Sequence, residues 1–233
     1  KAVAQMNLIR QINEELKELE ERETVLEKDI KENKNIQKVN ERKPNCIIGT
    51  TVELPVQETK TVQESMQVSQ GKLVISLDVD SKIENLSYVA SVYNAILGGG
   101  ANSRLFQNVR EKESLAYTAG SSYLKPKNMI FIRCGIEIQN YNKALETIKV
   151  QLDDLKNGKI EEDIENAKKL IIASVKSITS EQDTEITYYY GQELAGTLIE
   201  ISDYENKVNA VTKEQIQEIA NSVSINTIYF LKD

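Results

Sequence analysis

The chain has 233 residues, enough for one large domain, or a domain with an appendage, around a substantial core. Its 36 acidic residues outnumber its 29 lysines and arginines, and the net charge of -7 excludes nonspecific nucleic-acid binding as its main function. The sequence contains no histidine, which excludes most self-sufficient hydrolases, because their nucleophiles usually need an imidazole base and catalytic zinc usually needs an imidazole ligand.

Location is predicted from what the sequence lacks. No apolar run approaches the roughly 18 residues needed to cross a bilayer, so no membrane partner is expected. The chain starts at Lys1 with no signal pattern, which predicts a soluble, cytoplasmic protein whose start is a cleavage site or an artificial boundary. Cys46 and Cys134 match no metal-binding spacing and are expected to be free thiols in a reducing compartment.

The N-terminal segment, Lys1 to Lys43, has helical periodicity, which predicts one long helix or a helical hairpin. A free coiled coil is the alternative, although Glu23 and Asn33 interrupt its seam. Residues 44–63 are predicted to be a linker with short extended stretches, and residues 64–233 a compact domain. The apolar positions that define the helical stripe are Leu8, Ile12, Leu16, Leu19, Leu26 and Ile30.

The compact domain opens with a strand and a helix. Alternation from Leu73 to Val79 predicts a half-buried strand, and the apolar face from Ile83 to Leu97 predicts a helix. The run Gly98 to Gly100 is expected to end that helix, and Asn102 or Ser103 to cap the next one. That next helix is expected to bury Leu105, Phe106 and Val109.

A hairpin and a group of helices follow. The chain is expected to run extended to Tyr123, to turn at Pro126 to Asn128, and to return as a strand with one apolar face. Thr212 and Gln215 match a capping box before a helix. The remaining predicted elements are helices at Tyr141 to Leu155, Ile164 to Ile178 and Tyr188 to Leu198, and a strand at Ile225 to Leu231. Together these elements predict an α+β fold, a mainly antiparallel sheet with helices packed on one face.

Two candidate sites are better explained by structural roles. Gly98 to Gly100 could form a phosphate cradle, but the run follows a helix and no Gly-Lys-Ser or Gly-Lys-Thr comes after it. Carboxylates can act as acid and base or hold a hard cation. However, Glu161 to Asp163 begin a predicted helix, where negative charge complements the dipole, and Asp78 and Asp80 end a strand.

Arg110 and Tyr117 form the third candidate. They are seven residues apart across a predicted helix-to-strand corner, which can bring both side-chain tips to one place. A guanidinium and a phenol together offer several hydrogen-bond donors to a backbone carbonyl or a developing oxyanion. On the residues alone, a surface arginine and a core tyrosine remain the favoured interpretation.

Three stretches carry a family resemblance: QGKLVISLDVDS, LGGGANSRLFQNVREKESLAYTAGSS and TKEQIQEIANSVSINTIYFLKD. In that order they resemble the C-terminal half of the insulinase-like metallopeptidases, which include pitrilysin and the mitochondrial processing peptidase. The resemblance is closest to paired bacterial members that lack catalytic residues and occur beside an active homologue. It covers roughly residues 64–233 and leaves residues 1–63 outside.

The resemblance implies two similar α+β halves that close around a chamber. One half binds zinc through His-x-x-Glu-His and a distant glutamate, while an arginine and a tyrosine of the other half hold the substrate backbone. Arg110 and Tyr117 match that pair. The expected chain is therefore a noncatalytic half with no catalytic residue or metal of its own, and it dimerises with a zinc-bearing partner to cleave peptides.

Two alternatives remain. The chain could be a structural or peptide-binding subunit with no proteolytic role, or a helical adaptor built on Lys1 to Lys43.

Overall fold

The computed structural model describes Lys17 and residues 21–28, 58–158 and 160–233. The chain divides into two units, Lys1–Ile47 and Ile48–Asp233. In the first unit, Lys17 and residues 21–28 are helical and exposed, in agreement with the predicted helix. The rest of that helix, the predicted extended stretch Cys46 to Leu54 and the thiol of Cys46 lie outside the described residues.

A five-stranded sheet forms the base of the second unit. Its strand order is β1-β5-β2-β4-β3, with β1 and β5 parallel and every other neighbouring pair antiparallel. The strands are β1 (Lys60–Ser65), β2 (Gly71–Asp78), β3 (Ala116–Leu124), β4 (Met129–Ile136) and β5 (Ser224–Lys232). The mainly antiparallel sheet is confirmed.

Six α-helices accompany the sheet in the described part of the second unit, and shorter helical segments occupy four connections. The α-helices are α1 (Leu86–Gly98), α2 (Tyr141–Asn157), α3 (Glu161–Ser177), α4 (Gln182–Ala195), α5 (Ile201–Asn209) and α6 (Lys213–Ser222). A π-helix spans Phe106–Lys112, and 3-10 segments span Lys125–Lys127, Ile138–Asn140 and Ile178–Ser180. None of the helices within the described residues has the length and apolar character to cross a bilayer.

The core lies on one face of the sheet. Leu73 of β2 lies opposite Cys134 of β4 and Phe230 of β5, and all three side chains are buried. Val89 and Tyr93 of α1 belong to the same hydrophobic cluster. Because strand side chains alternate between faces, the buried apolar residues Leu73, Cys134 and Phe230 share the face that α1 covers, which confirms the predicted α+β layering.

Local signals placed one helix start three residues early and placed a turn and a capping box correctly. α1 begins three residues later than the apolar pattern from Ile83, since Asn85 has a left-handed backbone with φ of 54°. The predicted turn after β3 is a 3-10 segment ended by Asn128, with φ of 49°. The capping box is confirmed: the Thr212 hydroxyl accepts from the Gln215 backbone N–H at 3.4 Å, and Gln215 Oε1 accepts from the Thr212 N–H at 3.0 Å.

β1 overlaps the end of the predicted linker, so residues 60–63 form part of a strand where the sequence predicts a linker. Among its six residues only Val62 is half-buried, so the strand has no apolar alternation to reveal it. It is held instead by pairing with β5, from Lys60 opposite Thr227 to Ser65 opposite Lys232. This pairing joins chain segments about 165 residues apart, which leaves no local sequence signal.

Cys134 is a free, buried cysteine on the core face of β4, as the sequence predicts. Burial raises the pKa of its thiol to about 12, because an apolar surrounding disfavours the charged thiolate. The thiolate is the reactive form, so at pH 8 Cys134 is expected to resist iodoacetamide in the folded protein and to react fully in urea. Mass spectrometry of a Cys46→Ser variant isolates this thiol, and labelling of the folded variant at the rate of a small-molecule thiol would contradict the prediction.

Candidate functional site

The glycine run after α1 brings that helix close to β3. A Cβ atom on Gly98 would overlap the backbone nitrogen of Ser121 and would lie 2.8 Å from the carbonyl carbon of Gly120. The Ser121 hydroxyl donates to Asn94 Oδ1 at 2.8 Å, which ties the same two elements together. The run therefore ends the helix as predicted and also permits a close helix-to-strand approach.

The next helix starts at Ser103, although not through the predicted side-chain cap. The Ser103 hydroxyl donates back to the Gly100 carbonyl at 2.6 Å, and its own carbonyl accepts from the Gln107 N–H at 2.9 Å. From Phe106 the helix widens into the π form. Leu105 and Val109 are buried as expected, whereas Phe106 is only half-buried.

Arg110 lies on the exposed side of the π-helix. Its guanidinium carbon is 4.5 Å from the centre of the Phe106 ring, a cation–π contact that explains why Phe106 stays near the surface. Its Nη1 is 3.7 Å from Glu111 Oε1. This loose surface ion pair leaves most N–H donors of the guanidinium available.

The corner after the π-helix is fixed by contacts to α2. Asn108 Nδ2 donates to the buried Gln151 at 2.8 Å, and Lys143 Nζ lies 2.9 Å from Glu113 Oε2. The hydrogen bond and charge of Lys143 hold the pKa of Glu113 below its ordinary value. Ser114 then reverses the chain with φ of 51°. These contacts position the segment that leads from Arg110 to β3.

Tyr117 occupies a β-bulge at the start of β3. Ala116 pairs with Ile136 and Thr118 with Gly135, so Tyr117 is the extra residue between two consecutive partners on β4. Its side chain is 59% exposed, and its hydroxyl donates to Glu137 Oε1 at 3.2 Å. The interpretation as a core tyrosine, which the residues alone favour, is therefore wrong.

Both members of the candidate pair are thus exposed, Arg110 on the π-helix and Tyr117 at the start of the edge strand β3. Within the described residues, no hydrogen bond or ring contact joins Arg110 to Tyr117. Each keeps donor capacity for a further group, Arg110 beside its loose ion pair and Tyr117 by exchanging its bond to Glu137.

Sequence reasoning missed a polar group on the sheet face opposite the core. Arg133 of β4 is exposed opposite Gly120 of β3, and its Nη1 donates to Ser122 Oγ at 2.6 Å. The alternation of buried residues in β4 could have placed Arg133 on the outer face. The pairing of Arg133 with Ser122 depends on the register of β3 against β4, which the sequence does not show.

The acidic candidates have structural partners. Glu161 Oε1 is 2.6 Å from Lys213 Nζ, and Asp163 Oδ2 accepts from Arg104 Nη2 at 2.7 Å. Asp78 accepts from the Asn226 amide at 2.8 Å. Across residues 17, 21–28, 58–158 and 160–233, no three histidine, cysteine, aspartate or glutamate side chains are grouped closely enough to hold a metal ion. These carboxylates therefore support the fold, as their positions in the sequence indicate.

Relatives in sequence carry metalloprotease names. The chain is 34% identical over 197 residues to "Probable inactive metalloprotease YmfF" of Bacillus subtilis, covering 84% of this chain and 46% of that protein. It is 27% identical over 179 residues to "Uncharacterized zinc protease YmxG" of the same organism, covering 75% and 44%. The chain thus spans slightly less than half the length of these curated relatives.

Solved structures share the fold. The chain is similar to a conserved protein from Enterococcus faecalis V583, with a TM-score of 0.71 and 30% identity, covering 77% of this chain and 43% of that one. A peptidase M16 inactive domain from Pseudomonas fluorescens has a TM-score of 0.64 at 19% identity, covering 78% and 46%. That second likeness supports the fold alone.

The family model described as "Peptidase M16 inactive domain" matches residues 7–171. The match begins inside the N-terminal segment, which the motif resemblance left outside, and it includes the glycine run, the π-helix and the hairpin of β3 and β4. It covers well over half of the chain. The chain therefore belongs to the Peptidase M16 inactive domain family, which confirms its resemblance to the noncatalytic half of the insulinase-like metallopeptidases.

Proposed function

We propose that this chain binds the peptide backbone and completes the cleavage chamber of a zinc metalloendopeptidase whose metal lies on a His-x-x-Glu-His partner. The observation that carries the proposal is the placement of Arg110 and Tyr117. Both are exposed near the start of the edge strand β3. The π-helix presents Arg110 to solvent, and the β-bulge presents Tyr117.

The chemistry of these two side chains suits peptide hydrolysis. A guanidinium and a phenolic hydroxyl can donate to the scissile carbonyl oxygen and remain bonded as negative charge develops on it. Zinc on the partner would supply the activated water. In this division of roles, Arg110 and Tyr117 orient the peptide and stabilise charge, and this chain needs no histidine.

The proposal includes the wider arrangement of the protein. Residues 60–233 form the noncatalytic domain, residues 44–59 connect to it, and residues 1–43 act as a hinge or appendage. A cytoplasmic location is supported by the free thiol of Cys134, since reducing compartments keep thiols unpaired.

Reconstitution tests the proposal. The purified chain is mixed with a His-x-x-Glu-His M16 protein from the same organism, and hydrolysis of a fluorogenic peptide library is followed with and without a zinc chelator. We expect cleavage that neither protein shows alone and that the chelator abolishes. A stoichiometric complex without any gain of activity would overturn the proposal in favour of a structural subunit. Metal binding and peptide cleavage by this chain alone would also overturn it.

A further inference from the structure

Helix α4 is an unusual element of the second unit because none of its described side chains is buried. One side of the helix is partly covered, through Glu185, Tyr188, Tyr189 and Gln192. Ile186, Tyr190 and Leu194 recur every four residues on the opposite side, each between 47% and 63% exposed. This spacing makes one continuous apolar stripe along the solvent side of α4.

A further exposed apolar residue follows the end of the helix. Gly196 closes α4 with φ of 63°, and the Ile199 backbone N–H donates to Gln192 Oε1 at 2.8 Å. That bond holds the following turn against α4, and the turn carries Leu198, which is also exposed. We define the α4 face as Ile186, Tyr190 and Leu194.

Helix energetics argue that this face is covered in the functional protein. An isolated helix of about 12 to 15 residues is marginal in water, and most helices in proteins are stabilised by packing of an apolar face. α4 has 14 residues and includes Gly191, Thr184 and Thr187, which have low helix propensity. Single exposed apolar residues are ordinary, whereas a contiguous stripe marks an interaction site.

Charge indicates the chemistry of the occupant. Between Ser177 and Lys207 the sequence contains no lysine or arginine and is rich in aspartate and glutamate. Asp183 and Glu193 are exposed on α4 itself. A second copy of this chain would bring two acidic rims together and would be repelled, whereas a surface with basic residues around an apolar centre is complementary.

We propose that the α4 face docks a surface of the catalytic M16 partner that has an apolar centre and a basic rim, an assignment that rests on the proposed function. The apolar stripe supplies the buried centre of the interface, and its acidic rim pairs with lysines and arginines of the partner. This surface holds the two halves together and is separate from Arg110 and Tyr117, which contact the substrate.

Binding measurements test this assignment. The double variant Ile186→Asp/Leu194→Asp is expected to weaken binding of the His-x-x-Glu-His partner by about 30-fold or more in calorimetry, as loss of interface anchors does. Asp183→Lys/Glu193→Lys leaves the stripe intact and should weaken binding in a salt-dependent manner. The matched control is Val150→Asp on α2, whose side chain is 48% exposed, and it should bind like the wild type. Circular dichroism confirms that each variant is folded.

The outcomes separate this inference from the proposed function. If the wild-type chain forms no complex with the partner, the proposed function fails. If the complex forms and the α4 variants bind as tightly as Val150→Asp, the docking assignment fails while the proposed function stands. If the wild-type chain alone sediments as a dimer that the α4 variants dissolve, a second copy covers the α4 face and the assignment is overturned.

Discussion

Tyr117→Phe is expected to slow peptide cleavage by the assembled peptidase by about 10²-fold, and Arg110→Ala by at least as much, the usual effect of removing one positioned oxyanion donor. Tyr117→Phe removes only a hydroxyl from an exposed side chain, so the fold is expected to be unaffected. A donor that acts in the transition state lowers kcat and kcat/KM together, whereas a donor that only binds substrate raises KM. Steady-state kinetics on one fluorogenic peptide distinguish the two cases.

Matched controls lie on the same sheet and the same helix. Tyr229 of β5 also donates its hydroxyl to a carboxylate, Glu64 Oε2, at 2.6 Å, and Tyr229→Phe should leave the rates unchanged. Lys112→Ala removes an exposed cation from the π-helix that carries Arg110, and it should have little effect. Wild-type rates from both Arg110→Ala and Tyr117→Phe would show that these residues do not contact the reacting peptide.

Burial patterns explain which parts of the fold the sequence predicts. β2 and α1 face the core, so their side chains follow the periods of two and 3.6 that reveal such elements. α5 was not predicted, because only Val208 among its nine residues is buried and so the apolar pattern is too weak. β1 is defined by backbone pairing with a distant strand, and its exposed side chains follow no apolar pattern.

The candidate site shows a different limit of prediction from sequence. Alternation along β3 places Tyr117 on the same face as Ala119, Ser121 and Tyr123. Those three residues face the helices, so the alternation predicts a buried tyrosine. The bulge at Tyr117 inserts one residue and breaks that alternation. The π-helix likewise adds a residue per turn before Arg110. The bulge is a shift of one residue, which periodicity cannot reveal, so periodicity misplaces Tyr117. Arg110 lies at the surface, as the residues alone predict, and only the family motif marks both residues as site candidates.

Gly98→Ala, in the glycine run, has the largest expected effect on stability. Alanine is normally preferred to glycine in a helix by about 1 kcal/mol, so Gly98→Ala at the end of α1 would stabilise the protein if space allowed. The added methyl group would instead overlap the backbone of Ser121. Backbone cannot rotate away as a side chain can, so α1 and β3 must separate. We expect a loss of about 3 kcal/mol in the free energy of unfolding, the upper part of the range for overpacked sites.

Gly100→Ala is the matched control, because its new methyl group would meet only the end of the Leu170 side chain, at 3.1 Å. Leu170 is largely exposed and can turn aside, so the change should stay within about 0.5 kcal/mol. Urea unfolding of both variants measures the difference, and Gly98→Ala should also lower Tm by about 6 to 12 °C. Equal stability of the two variants would mean that α1 does not rest on the β3 backbone. The position of that strand, and with it Tyr117, would then not depend on the glycine run.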